Sequence, residues 1–116
     1  MTFEDLRAYC AEKKGVTYDT PFGPDVMVFR VMQKMFALAP IDVFGTVNLK
    51  CDPERAIELR EQYPGITPGY HMSKVHWNTV SVTGDVPHKL LMELIDHSYA
   101  LVRASLPRKV RMELEG

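Results

Sequence analysis

The sequence carries almost no net charge: 14 Lys and Arg against 15 Asp and Glu leave a formal −1 over 116 residues. That balance excludes capture of nucleic acid or anionic lipid by bulk electrostatics and leaves only a local patch for such a role. Cysteine is scarce. Cys10 and Cys51 form no Cys-x-x-Cys pair and are too few for a disulfide framework, so reduced, buried thiols in a cytoplasmic protein are expected. The opening Met-Thr-Phe-Glu-Asp-Leu has acids where a signal peptide carries bases. No apolar run approaches the ~18 residues needed to span a bilayer, so no membrane association is expected. Phosphate-binding glycine loops and the Gly-x-Ser-x-Gly nucleophile elbow are missing. Low hydrophobicity is missing too, since 46% of residues are hydrophobic, which argues for one globular domain over 1–116 rather than a disordered chain.

The patterns present describe an α+β chain. Thr2-x-x-Asp5 is a capping box, and Phe3, Leu6 and Cys10 recur at helical steps up to Gly15, which predicts an amphipathic helix over 3–14. Pro21-Phe22-Gly23-Pro24 is a turn. Val26–Val31 and Met35–Ala39 read as a hairpin turning at Gln33-Lys34. Thr46–Cys51 alternates, with Val47, Leu49 and Cys51 on one face. Asp52-Pro53 opens a helix to about Gln62, whose Glu54, Arg55, Glu58, Arg60 and Glu61 read as a solvated face. After a Pro- and Gly-rich loop over 64–74, Val75–Val82 is a strand with Trp77, Thr79 and Ser81 sharing a face. A helix from Pro87 to about Ser105 carries Leu91, Leu94, Ile95, Leu101 and Val102 as its apolar stripe. The tail 108–116 is expected to be a short edge strand or a flexible end. The resulting order (helix, three strands, helix, strand, helix) predicts a two-layer sandwich, an antiparallel sheet with helices on one face.

Few residues suggest chemistry. Residues 68–78 hold the single Trp77 with Tyr70, His71, Lys74 and His76. His71 and His76 are five apart and His88 and His97 nine apart, neither a spacing that stacks two ligands, so no metal is expected. Cys10 and Cys51 fall on inward faces, where a thiol behaves as a small hydrophobe. No catalytic residue is nominated and no cofactor is implied. The segments 26–51 and 66–92 are net +2 and +1, and place Arg30, Lys34, Lys50, Lys74 and His76 on or near the strands. Basic side chains beside an aromatic are what phosphate contact requires. The competing reading makes Tyr70, His71 and Trp77 the rim and floor of a pocket.

Several motifs together resemble the MmcQ/YjbR family: Pro21-Phe22-Gly23, Lys34-Met35-Phe36-Ala37, Leu49-Lys50-Cys51, Pro68-x-Tyr70-x-Met72-x-Lys74-x-x-Trp77 and Ser98-Tyr99-x-Leu101-Val102. The resemblance runs from the first helix to Pro107. It implies a CyaY-like (frataxin-like) fold and a "double-wing" arrangement of β-hairpins proposed to bind DNA. Iron binding is not carried over, because frataxin's acidic ridge on the first helix has no counterpart: Glu4, Asp5 and Glu12 are offset by Arg7, Lys13 and Lys14. The expectation is therefore a DNA-binding protein that contacts phosphates with Arg30, Lys34, Lys50, Lys74 and His76 from the open sheet face. The alternative is a non-catalytic module that binds a protein or a small ligand.

Overall fold

Each helix starts where its sequence supplies a cap or a proline. Helix α1 (Phe3–Ala11) begins with a reciprocal capping box: the Asp5 N–H donates to Thr2 Oγ1 at 3.1 Å, and the Thr2 N–H to Asp5 Oδ2 at 2.9 Å. It ends three residues earlier than its apolar spacing suggests, and Gly15 turns the chain at φ +76°. Helix α2 (Pro53–Gln62) is capped by the Asp52 carboxylate, with Pro53 in its first turn. Helix α3 (His88–Ser105) follows Pro87, and α4 (Arg108–Glu115) follows Pro107. The computed structural model describes residues 1–69 and 72–116; Tyr70 and His71 lie outside the described residues.

The strands are β1 (Val16–Asp19), β2 (Val26–Val31), β3 (Lys34–Pro40), β4 (Thr46–Lys50), β5 (Ile66–Pro68) and β6 (Trp77–Ser81). They form one antiparallel sheet in the order β1-β2-β3-β4-β6-β5. The first four make a meander. Helix α2 then carries the chain to the far edge, and β5 turns back to β6, which lies beside β4. Helix α3 crosses β2, β3 and β4, while α1 and α2 cover the two ends. The α+β sandwich with helices on one face is therefore observed.

Its details differ from the sequence-based expectation in four places. The edge strands β1 and β5 are additional; each is short and mostly exposed, so neither has an apolar alternation to announce it. The tail is a helix, because Val110 and Leu114, four apart, turn one stripe inward, and Leu114 packs over the bare Cα of Gly15. The β2–β3 hairpin turns at Met32-Gln33, both with positive φ (46° and 77°), as the strand twist favours in a two-residue turn. The fourth difference follows from a bulge. The register slips between Phe29, opposite Ala37, and Arg30, opposite Met35, so that Phe36 has no paired residue. Phe36 and Ala37 both turn to the helices, and Met35 and Leu38 both turn away.

The main core lies between sheet and helices. Phe29, Phe36, Leu49, Val80, Leu6 and Ile95 are among its fully buried members, each worth about 1.5–3 kcal/mol of transfer free energy. A second, smaller cluster of Val28, Leu38 and Trp77 lies on the opposite face, edged by Val26, Met35 and Met72.

Candidate ligand site on the open sheet face

Strand register sets out the face that no helix covers. One row across the sheet holds Val26, Pro40, Thr46 and Ser81; the next holds Asp19, Val28, Leu38, Asn48 and Thr79; the third holds Arg30, Met35, Lys50 and Trp77. A groove of about 550 Å³ crosses the first two rows and reaches Met35 of the third. Its apolar walls are Phe22, Val26, Met35, Leu38, Pro40 and Met72, and its polar side is Thr46, Asn48 and Thr79. Phe22, from the loop before β2, is 68% exposed. The Thr79 hydroxyl donates to Asn48 Oδ1 at 2.5 Å. Among the described residues, no ionisable side chain lines the groove. The run Val26-Met27-Val28-Phe29 carried the signal for this second apolar face, being apolar at every position rather than at alternate ones.

The five basic residues nominated from sequence do not share a surface. Arg30 lies on the open face but is ion-paired with Asp19 of β1. Lys34 is on the helix side, paired with the inward Val31, and its Nζ donates to the Ser105 carbonyl at 3.5 Å. Lys50 is on the open face, directly across from Trp77. Lys74 and His76 lie in the exposed turn that precedes β6, since that strand begins at Trp77 and not Val75. Among the described residues, no carboxylate pairs with Lys50, Lys74 or His76. Of the nominated pocket residues, Tyr70 and His71 lie outside the described residues, and Trp77 is 8% exposed, packed with Val28 and Leu38.

Arg60 is the residue whose role the sequence concealed. Assigned to a solvated helix face, it reaches back under β6 instead. Its Nε donates to Asn78 Oδ1 at 2.7 Å, and its terminal nitrogen to the carbonyls of Lys74 and, at 3.3 Å, Trp77. Its guanidinium thus holds the turn carrying Lys74 and His76. Asn78 is buried on the helix side, and its Nδ2 has no partner among the described residues.

The motifs that distinguish this sequence meet at structural ties. Ser98, fully buried on α3, donates its hydroxyl to the Phe36 carbonyl at 2.5 Å and accepts from the Lys50 N–H at 2.9 Å. It bridges β3 and β4 where the bulge has parted them. Tyr99 stacks edge-on against Phe36, its hydroxyl donating to the Lys14 carbonyl at 2.5 Å. Gly69 lies against Trp77 and donates its N–H to the Trp77 carbonyl at 2.8 Å. Burial pushes the Cys10 thiol up to about 12 and raises that of Cys51, which favours the protonated thiol at both. No group of three His, Cys, Asp or Glu side chains among the described residues is placed to hold a metal ion. No helix among them is long and apolar enough to cross a membrane.

Comparison with known proteins agrees with this architecture. The chain is 31% identical over 112 residues to the uncharacterized protein YjbR of Escherichia coli K12, covering 96% of this chain and 95% of that protein. It is 38% identical over 91 residues to the uncharacterized protein YbdF of Escherichia coli O157:H7, covering 77% and 74%. The crystal structure of Deinococcus radiodurans protein DR2400, of the DUF419 domain family, superposes with a TM-score of 0.92 at 40% identity, covering 98% of this chain and 88% of that one. The YjbR family model matches residues 11–101, the span from the end of α1 through the Ser98-Tyr99 tie in α3, and with that match and these relatives the chain belongs to the YjbR family.

Proposed function

We propose that the protein is a non-catalytic binding module whose ligand sits in the groove on the open face of the sheet. One observation carries this reading: an apolar groove of about 550 Å³ on a face that the fold leaves uncovered. Ligand sites typically have volumes of roughly 300–1,000 Å³, mostly apolar walls and a few placed polar groups. Phe22, Met35 and Met72 supply adaptable apolar surface, and Asn48 and Thr79 supply the polar groups.

DNA contact is the second reading, favoured by the absence of a carboxylate partner for Lys50, Lys74 and His76 among the described residues. Against it stand the apolar face beside them, the pairing of Arg30 and the position of Lys34 on the helix side. Titration with the neutral dye N-phenylnaphthylamine tests the groove. Saturable binding is expected, and Met35→Glu, which adds a charge to the groove away from the helix-side core, should remove it. Failure of the native protein to bind the dye refutes the groove reading. Anisotropy of labelled duplex and single-stranded DNA at several salt concentrations tests the other. Micromolar binding with a log–log salt slope of about −1 per phosphate contact, weakened in Lys50→Glu and Lys74→Glu, would put DNA in its place.

A further inference from the structure

The polar side of the groove is arranged to donate. The Asn48 carboxamide oxygen accepts the Thr79 hydroxyl, which orients the amide and leaves its Nδ2 hydrogens as donors for a ligand. Lys50 follows on the same strand two residues later, so both side chains rise from the same face about 6.8 Å apart. The Lys50 ammonium has no carboxylate partner among the described residues, whereas Arg30, the other cation of that row, is neutralised by Asp19. Among the described residues, no acidic side chain lines the groove. The lining therefore offers an apolar trough with the Asn48 amide as a donor. Lys50 stands just beyond it, in the row that holds the lining residue Met35, as a cation with no carboxylate partner among the described residues.

From this we infer that the ligand is an amphipathic anion: an apolar body lying along Phe22, Val26, Leu38 and Met72, with a carboxylate-type head held by Lys50 Nζ and Asn48 Nδ2. This rests on the groove reading above and adds the charge and orientation of its ligand. An oxyanion that accepts charge-assisted hydrogen bonds from an ammonium and an amide is the complement of that end, and apolar contact is the complement of the rest. The Lys50 backbone is committed to Ser98, so the strand fixes where its side chain starts and leaves the ammonium free to reach the ligand.

The test uses two dyes with one aromatic skeleton. Anilinonaphthalene sulfonate carries an anionic group, and N-phenylnaphthylamine lacks it. Both are titrated against the native protein, with the emission of the single Trp77 as a second readout. Lys50→Gln is expected to weaken the anionic dye about tenfold and to leave the neutral one unchanged, the loss of one charge-assisted contact. Asn48→Leu should weaken the anionic dye in the same selective way and serves if Lys50→Gln is poorly folded. Binding of the anionic dye should also weaken with salt, and that of the neutral dye should not. If both dyes bind the native protein and these variants change their affinities alike, the inference is overturned while the groove reading stands. If neither dye binds, the groove reading falls and this inference with it.

Discussion

Replacing Ser98 with Ala tests the tie at the centre of the fold. The hydroxyl serves two backbone groups that the bulge at Phe36 has separated, the Phe36 carbonyl at 2.5 Å and the Lys50 N–H at 2.9 Å. Alanine fits the space but leaves both without that partner. A buried polar group left unpaired costs about 1–3 kcal/mol, and a carbonyl tolerates it better than an N–H, so about 2–4 kcal/mol is expected in total. For a chain of this size about 4 °C accompanies each kcal/mol, which puts the fall in Tm at about 8–16 °C. Urea and thermal melts would measure it, and hydrogen exchange would locate it: the Lys50 amide should be protected in the native protein and lose that protection in the variant. Ser105→Ala is the control, since that residue is exposed and its hydroxyl donates to the Val102 carbonyl of its own helix; its cost should stay below about 0.5 kcal/mol. A Ser98→Ala variant as stable as the control, with the Lys50 amide still protected, would refute the argument that this hydroxyl joins the strands.

Two further outcomes can be measured. A Cβ on Gly69 would stand 2.7 Å from Trp77 Cβ and 3.0 Å from its carbonyl oxygen, atoms that cannot swing aside, so Gly69→Ala should cost about 1–3 kcal/mol in urea denaturation; an unchanged midpoint would show that the chain relaxes there freely. His97 Nε2 accepts the Asp52 N–H at 3.2 Å, and burial, helped by the charge of Arg55, holds its pKa below the ordinary 6.5. The folded state prefers the neutral ring, so the unfolded chain binds the proton first; stability from this group is full above 6.5 and is lost as pH falls from there toward the folded pKa. Urea midpoints at about pH 7.5 and about pH 5 should therefore fall further in the native protein than in His97→Gln, which does not titrate, and equal falls would remove His97 as the cause.

The legible parts of the fold were those dictated by neighbours in sequence. The Thr2/Asp5 box, Asp52-Pro53 and Pro87 announce their helices because caps and prolines act within one turn. Strand β4 was readable because Val47 and Leu49 alternate with Thr46, Asn48 and Lys50 against a one-sided core. Strands β1 and β5 were not, since an exposed edge needs no apolar face. Helix α4 went unread because its stripe is only Val110 and Leu114. The candidate site was half-visible. Trp77, Lys50 and Lys74 stood out by residue type, whereas Met35, Leu38 and Asn48 looked like ordinary strand residues.

By itself, then, the sequence determined the class of fold, the starts of α1, α2 and α3, the inward thiols and, through motifs spread along the chain, a likeness to one family. Those motifs are far apart in sequence and give no hint of their partners. Tertiary structure alone decided that Ser98 bridges Phe36 and Lys50, that Arg60 holds the turn before β6, and that Arg30 is answered by Asp19. It also decided which face each strand residue sees. A single bulge let Phe36 and Ala37 both face the helices and Met35 and Leu38 both face the open side, because side chains alternate with a period of two and a shift of one reverses them. Lys34 lies off the open face, Arg30 and Lys50 lie on it, and an apolar groove lies beside them.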